Sequence, residues 1–193
     1  MDEKELMTPH RIGEVSFTDS EIDKLFKVCQ TIEEELMLHL ELELALRRED
    51  AADVRLENID LQNSKVKFVE HKKHVKKDGK DLGSRIRTVY IGPKLKQTIE
   101  KYINATGRKK GKIFNCTGRT LFNWLQDMCD RAQIPRRPFH AFRSTSIKRH
   151  LRGGWTISQV CAYTFDSPSV IEMHYLVPSD DEMRELSQKK EVL

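Results

Sequence analysis

The spacing of apolar residues changes twice along the chain. Of all the sequence features, these two changes limit most strongly which folds the chain can adopt. Over residues 19–56, apolar side chains recur at intervals of three and four residues, which is typical of amphipathic helices. Residues 65–69 and 85–91 are rich in β-branched and aromatic residues and read as strands. Helical spacing then returns over residues 93–175. The pattern predicts a mainly α-helical domain with a small antiparallel β-sheet, an α+β fold.

Local signals place the boundaries of these elements. Thr18 and Glu21 have the T-x-x-E spacing of a capping box, and Phe17 precedes them as a hydrophobic staple. The segment between the two predicted strands is polar and rich in lysine, which predicts a long β-hairpin with a basic tip. The predicted helices span residues 19–30, 32–46, 48–56, 93–104, 120–132, 140–152, 156–164, 169–175 and 179–190.

Composition limits the class of protein. Of the 193 residues, 38% are hydrophobic, which is enough to build the core of one domain. No run of about eighteen apolar residues predicts a membrane span, and the N-terminus lacks the pattern of a secretion signal. The four cysteines form no C-x-x-C pair, so we expect reduced thiols and a cytoplasmic protein.

Charge is distributed unevenly along the chain. Residues 1–60 hold 17 acidic and 7 basic residues, a net charge of −10. Residues 61–193 hold 13 acidic and 27 basic residues, a net charge of +14, and the two values add to the overall +4. A solvated surface with chance clustering would also fit. The separation suggests a polyanion such as nucleic acid as the partner of one face, and charge alone supports the two interpretations about equally.

His140 and Arg143 form an H-x-x-R pair within a predicted helix. Residues three apart lie on the same helix face, so the imidazole and the guanidinium could hold one phosphate together. Taken alone, this pair is better explained as an ordinary surface pair, because H-x-x-R arises by chance in many helices.

Further elements follow one another in a fixed order around this pair. Ala45-Leu46-Arg47 precedes Glu57-Asn58-Ile59-Asp60, the lysine-rich hairpin follows, and Tyr175 lies 35 residues after His140. With this ordered set the chain resembles the tyrosine recombinase (phage integrase) family, over about residues 15–180. The resemblance implies the fold of the catalytic domain of that family.

The resemblance also implies a catalytic set and its chemistry. Two arginines would clamp a DNA phosphate, a histidine would assist proton transfer, a tyrosine would attack phosphorus, and a hairpin lysine would protonate the leaving 5′ oxygen. The intermediate would be a 3′-phosphotyrosyl link, formed without metal, ATP or any other cofactor. The matched residues are Arg47, Lys72, His140, Arg143 and Tyr175, with Lys73 as the alternative to Lys72.

Asp166 departs from the family pattern. It stands nine residues before Tyr175, where the family usually has a histidine or tryptophan in contact with the same phosphate. A carboxylate at this place would repel a phosphate unless it were protonated or turned away. We therefore keep Asp166 as a candidate site residue, with His174 or Tyr163 as alternatives that could fill the missing role.

Several basic residues outside this set are candidates for contacts with the DNA backbone, which would make affinity sensitive to salt. They are Lys73, Lys76, Lys77, Arg119, Arg136 and Arg137. His71 and His74 have no acidic or thiol partner at ligand spacing, so we predict no metal site.

The expected organisation has three parts. Residues 1–15 form a flexible leader, residues 16–178 the catalytic domain, and residues 179–193 a C-terminal helix or tail, which the resemblance implies would dock on a neighbouring subunit. Because Arg47 lies so near the N-terminus, we expect the separate N-terminal core-binding domain of the family to be absent.

The resemblance implies site-specific recombination or integration on double-stranded DNA, by a protein that assembles as a tetramer on DNA and is a monomer or dimer when free. Two alternatives remain open. One is a DNA-binding module with weak or no catalysis, and the other is DNA relaxation like that of a type IB topoisomerase.

Overall fold

The structure, a computed structural model, describes residues 15–77 and 80–176, with the side chains of residues 69–85 excepted. The described residues form eight α-helices, a short 3₁₀ turn and three strands, so the predicted α+β class is confirmed. The elements are α1 (Asp19–Lys27), α2 (Ile32–Leu44), α3 (Arg48–Ala52), the 3₁₀ turn (Leu56–Asn58), β1 (Ile59–Asp60), β2 (Lys65–Lys77), β3 (Lys80–Tyr90), α4 (Pro93–Thr106), α5 (Gly118–Arg131), α6 (His140–Arg152), α7 (Ile157–Thr164) and α8 (Pro168–Tyr175).

The capping box predicted before α1 is present. The Thr18 hydroxyl accepts a hydrogen bond from the Glu21 amide at 3.2 Å, and the Glu21 carboxylate accepts one from the Thr18 amide at 2.8 Å. Phe17, just before the cap, is buried, and its amide donates to the Thr145 hydroxyl of α6. The start of α1 is thereby attached to the helix that carries His140 and Arg143.

Helix α2 is the central helix, as its dense apolar pattern predicted. It packs against α4 and α6, and every one of its residues is buried or half-buried. The helix ends at Leu44, two residues before the predicted end, because Ala45 adopts a left-handed conformation with φ of 50°. A non-glycine residue in this region is uncommon, and here it turns the chain sharply toward Arg47.

Two buried arginines stabilise this turn from different parts of the chain. Arg87 of β3 donates to the Leu44 carbonyl at 2.7 Å, and Arg143 of α6 donates to the Ala45 carbonyl. Both side chains are almost fully buried. Because these bonds use the carbonyls left over at the end of α2, they satisfy groups that a helix end leaves without partners.

The sheet is antiparallel with the order β1-β2-β3. Val66 of β2 lies opposite Val89 of β3, and both side chains face the core. Strands β2 and β3 extend well beyond the two predicted segments and form the predicted hairpin. The two-residue strand β1 was not predicted, since a pair of residues carries no readable alternation.

The apolar side chains form two clusters. The larger one joins α1 to α6 with the sheet. The smaller one holds α6, α7 and α8 together beside the turn after α2, and it includes the ring of Tyr175. Its buried members are Ala45, Ile147, Val160, Ile171 and Tyr175. Burial against this cluster fixes the position of α8 and of the tyrosine at its end.

Among the described residues, no helix is both long enough and apolar enough to cross a membrane. Most of the predicted leader and the predicted helix at 179–190 lie outside the described residues.

Candidate active site

Five of the six predicted catalytic residues line one open cleft, with a volume of about 410 Å³. They come from the turn after α2, from the first turn of α6, from the loop before α8 and from the end of α8. The five are Arg47, His140, Arg143, Asp166 and Tyr175. The sixth, Lys72, lies on β2, and its side chain is outside the described residues.

Arg143 forms the floor of the cleft. Its side chain is 1% exposed and is held by three acceptors. One terminal nitrogen donates to the Ala45 carbonyl, and the other donates to the Thr164 carbonyl at 3.1 Å and to the Asp166 carboxylate at 2.6 Å. These bonds join the turn after α2 to the loop before α8, so the guanidinium is preorganised before any ligand arrives.

Arg47 reaches the same carboxylate from the other side. It stands just before α3, where the left-handed turn at Ala45 has redirected the chain. Its guanidinium lies 3.2 Å from the second oxygen of Asp166, and its side chain is 23% exposed. Two guanidinium groups that are 96 residues apart in sequence therefore converge on one point.

Tyr175 and His140 form the other wall. The Tyr175 hydroxyl lies 3.2 Å from Nε2 of His140, within hydrogen-bond distance. Burial raises the pKa of the tyrosine above its ordinary value, while the positive charges of Arg143 and Arg47 act to lower this pKa. A phenol beside an imidazole and two guanidinium groups is suited to lose its proton when an electrophile approaches.

The imidazole of His140 is neutral over a wide pH range. Burial, followed by the positive charge of Arg143, lowers its pKa from 6.5 to about 4. A neutral imidazole can accept a proton from the neighbouring hydroxyl, which a protonated one cannot.

This low pKa predicts a measurable pH dependence. A ¹⁵N NMR titration of the imidazole should give a midpoint near 4 in the native protein, against 6.5 in the unfolded chain. The folded state then binds fewer protons than the unfolded state between these values, so stability falls as pH decreases from 6.5 to 4. The expected loss is about 3 kcal/mol, and it should disappear in His140→Gln. A native midpoint near 6.5 would contradict the prediction.

Glu41 of α2 is a buried acid near the site that the sequence analysis missed. Its side chain is fully buried, and neither carboxyl oxygen has a hydrogen-bond partner within the described part of the chain. Burial raises its pKa well above the ordinary value, although the positive charge of Arg143 partly opposes this shift. In the sequence it stands among leucines of a helix, where nothing distinguishes it from the half-buried glutamates of the same helix.

The two alternatives to Asp166 have different positions. His174 lines the cleft beside Tyr175, together with Ser167 and Val170, which the sequence analysis did not identify. Tyr163 instead lines a separate groove, where its hydroxyl donates to the Tyr90 carbonyl at 3.2 Å. Of the two, only His174 is brought to the cleft.

The arginines predicted to contact DNA differ in their availability. Arg119 is exposed at the start of α5, over the ring of Phe122. Arg136 is also exposed but forms two hydrogen bonds to the Asp130 carboxylate, at 2.9 and 2.6 Å. Arg137 is half-buried and bonded at 2.7 Å to Glu21, a contact that joins the segment before α6 to α1. The side chains of Lys73, Lys76 and Lys77 are outside the described residues.

No group of three potential metal-binding side chains occurs within residues 15–77 and 80–176. The four cysteines, which all lie in these ranges, are free thiols.

No family model matches the sequence. The chain is 27% identical over 133 residues to the tyrosine recombinase XerA of Saccharolobus solfataricus. This match covers 67% of the chain, and it spans 42% of the length of that relative.

Solved structures show the same fold. A crystal structure of XerA recombinase matches with a TM-score of 0.73 and 17% identity, covering 95% of this chain and 67% of that one. The catalytic domain of the bacteriophage HP1 integrase matches with a TM-score of 0.62 and 16% identity, covering 92% and 96%. These comparisons confirm the predicted resemblance, and the chain has the fold of a tyrosine recombinase catalytic domain.

Proposed function

We propose that the protein is the catalytic part of a site-specific DNA recombinase or integrase that cleaves and rejoins strands through a 3′-phosphotyrosyl intermediate. The observation that carries the proposal is the 3.2 Å approach of the Tyr175 hydroxyl to His140, in a cleft that also holds Arg47 and Arg143. The resemblance to XerA over 67% of the chain supports the same proposal.

The proposed cleavage step uses the four groups in distinct roles. The Tyr175 oxygen attacks the phosphorus while its proton passes to neutral His140. Arg47 and Arg143 stabilise the negative charge that grows on the other phosphate oxygens. The bond from phosphorus to the 5′ oxygen breaks, and Lys72, or alternatively Lys73, gives that oxygen a proton. Each proton transfer of this kind typically contributes about 10²- to 10⁴-fold in rate.

Rejoining reverses these steps with a second DNA end. A free 5′ hydroxyl attacks the phosphotyrosyl bond, and Tyr175 leaves and recovers a proton. The number of phosphodiester bonds is unchanged, so the exchange requires no external energy source.

Double-stranded DNA is the proposed partner. The net charge of +14 over residues 61–193 favours a polyanion, and the Tn1549 integrase, which has the same fold, was solved in complex with transposon DNA. We further propose action in the cytoplasm and assembly as a tetramer on DNA, since strand exchange between two duplexes needs four cleavages.

The experiment that tests the proposal is the capture of the covalent intermediate. The full chain is incubated with a library of nicked duplexes of randomised sequence, in which cleavage next to the nick releases a short fragment and prevents rejoining. We expect an adduct that survives SDS, and a tryptic peptide containing Tyr175 that carries a nucleotide phosphate. DNA binding that falls steeply with salt but yields no adduct would contradict the proposed chemistry.

A second candidate function is DNA binding with weak or no catalysis. The contact that favours it is the Asp166 carboxylate, which occupies both arginines of the cleft. The same assay separates the two, because the second candidate predicts a gel shift without adduct. If adducts form, relaxation of a supercoiled plasmid without recombination between two sites would instead indicate a topoisomerase-like activity.

A further inference from the structure

The Asp166 carboxylate joins the two arginines of the cleft. One oxygen accepts from Arg143 at 2.6 Å and the other lies 3.2 Å from Arg47, so each oxygen is bound to one guanidinium. The side chain of Asp166 is only 9% exposed. The ion pair with Arg47 joins residues that are 119 positions apart in sequence, and the ion pair with Arg143 joins residues that are 23 positions apart.

A phosphate diester would need the same donors. The two non-bridging oxygens of the diester share one negative charge, and the two oxygens of a carboxylate share one negative charge in a similar way. Guanidinium groups bind both anions through paired N–H donors. The carboxylate and the phosphate therefore compete for the same two guanidinium groups, which cannot bind both anions at once.

We propose that the Asp166 carboxylate competes with a DNA phosphate for Arg47 and Arg143. DNA must then displace this carboxylate from the phosphate-binding site before Tyr175 can react. The inference rests on the function proposed above and adds regulation of the same site. In the absence of DNA, the Asp166 carboxylate holds the two arginines in position and excludes weakly binding anions. Only a phosphate supported by further contacts along the duplex displaces it.

The surrounding structure allows this exchange without disturbing the clamp. Arg143 keeps its hydrogen bonds to the carbonyls of Ala45 and Thr164 when the Asp166 carboxylate moves away, so its guanidinium stays in position. Asp166 lies in the short loop between α7 and α8, after Phe165 in a left-handed conformation. Asp166 lines the cleft, and residues 167–170 that follow it are exposed, so rotation of the Asp166 side chain can bring its carboxylate to solvent.

The first experiment measures anion binding without DNA. Asp166→Asn keeps the size of the side chain and removes its charge. We expect inorganic phosphate to bind this variant about ten- to a hundredfold more tightly than it binds the wild type, because a hydrogen-bonded competing charge is gone. Isothermal titration calorimetry with phosphate, against chloride at equal ionic strength, gives the ratio, and circular dichroism confirms folding. Asp166→Ser provides the same readout if Asp166→Asn does not fold.

Asp19→Asn is the matched control. Asp19 also contacts two arginines, with Arg149 at 2.7 Å and Arg152 at 3.9 Å, but it lies on the surface away from the cleft. The same loss of charge at that position should leave phosphate affinity as in the wild type. Equal phosphate affinity in the wild type and in both Asp166 variants would overturn the inference.

The second experiment uses the nicked duplexes and separates this inference from the proposed function. We expect Asp166→Asn to form the Tyr175 adduct at lower DNA concentration than the wild type, with a half-maximal concentration about tenfold lower. If Asp166→Asn bound phosphate more tightly than the wild type but neither protein formed an adduct, the competition between Asp166 and phosphate would be upheld. The proposed catalysis would be refuted. If the wild type formed the adduct and Asp166→Asn did not, the inference would be overturned. Asp166 would then be a group required for the reaction.

Discussion

Tyr175→Phe is expected to lose adduct formation by roughly 10⁴-fold or more, because it removes the atom that would bond to phosphorus and leaves no other oxygen in its place. The ring stays in the cluster with Ala45, Ile147 and Ile171, so the fold should persist. The measurement is the yield of SDS-stable adduct on nicked DNA over time. Gel shifts on the same DNA should remain close to those of the wild type, since the hydroxyl contributes little to overall binding.

Tyr163→Phe is the control for this substitution. It makes the same chemical change at a half-buried tyrosine, but the Tyr163 hydroxyl bonds to the Tyr90 carbonyl in a different groove. We expect adduct yields within about a factor of two of the wild type, as for a change outside the reacting groups. If Tyr175→Phe formed as much adduct as Tyr163→Phe, the nucleophile would have to be another residue.

Much of the fold follows from local sequence signals. The capping box at Thr18 fixes the start of α1, and glycine or proline marks the limits of α4 and α6, so these boundaries lie close to those predicted. The end of α2 is different. Ala45 favours helix in any sequence-based reading, and its left-handed conformation is imposed by buried arginines from β3 and α6. Tertiary contacts of this kind have no local signal.

The composition of the cleft could be predicted, but its internal contacts could not. The ordered resemblance brings together residues 47 to 175, which no periodicity would connect. By contrast, the bridging position of Asp166 depends on the direction of one side chain in a short loop. The sequence also does not distinguish Arg137, which pairs with Glu21, from Arg119, which lies exposed, because both stand close to the start of a helix.

Arg143→Ala is expected to lower the free energy of unfolding by about 3–5 kcal/mol, in addition to its effect on the reaction. The guanidinium is 1% exposed, and its loss leaves the carbonyls of Ala45 and Thr164 and the carboxylate of Asp166 short of a donor inside the protein. The turn that directs Arg47 would lose one of its two arginine contacts. Urea unfolding followed by circular dichroism gives the change in free energy.

Arg149→Ala shows why the large effect belongs to the position and not to the residue type. Arg149 bonds to Asp19 on the surface, where water can replace either partner, so its loss should cost less than about 1 kcal/mol. Arg143→Lys should fall between the two, because an ammonium keeps the charge but cannot reach acceptors on both the turn and the loop. A loss under 1 kcal/mol for Arg143→Ala would mean that water or neighbouring donors satisfy these groups. The turn after α2 would then hold its shape without Arg143, and the preorganisation of the cleft would have to come from Arg87 and the apolar cluster under α8.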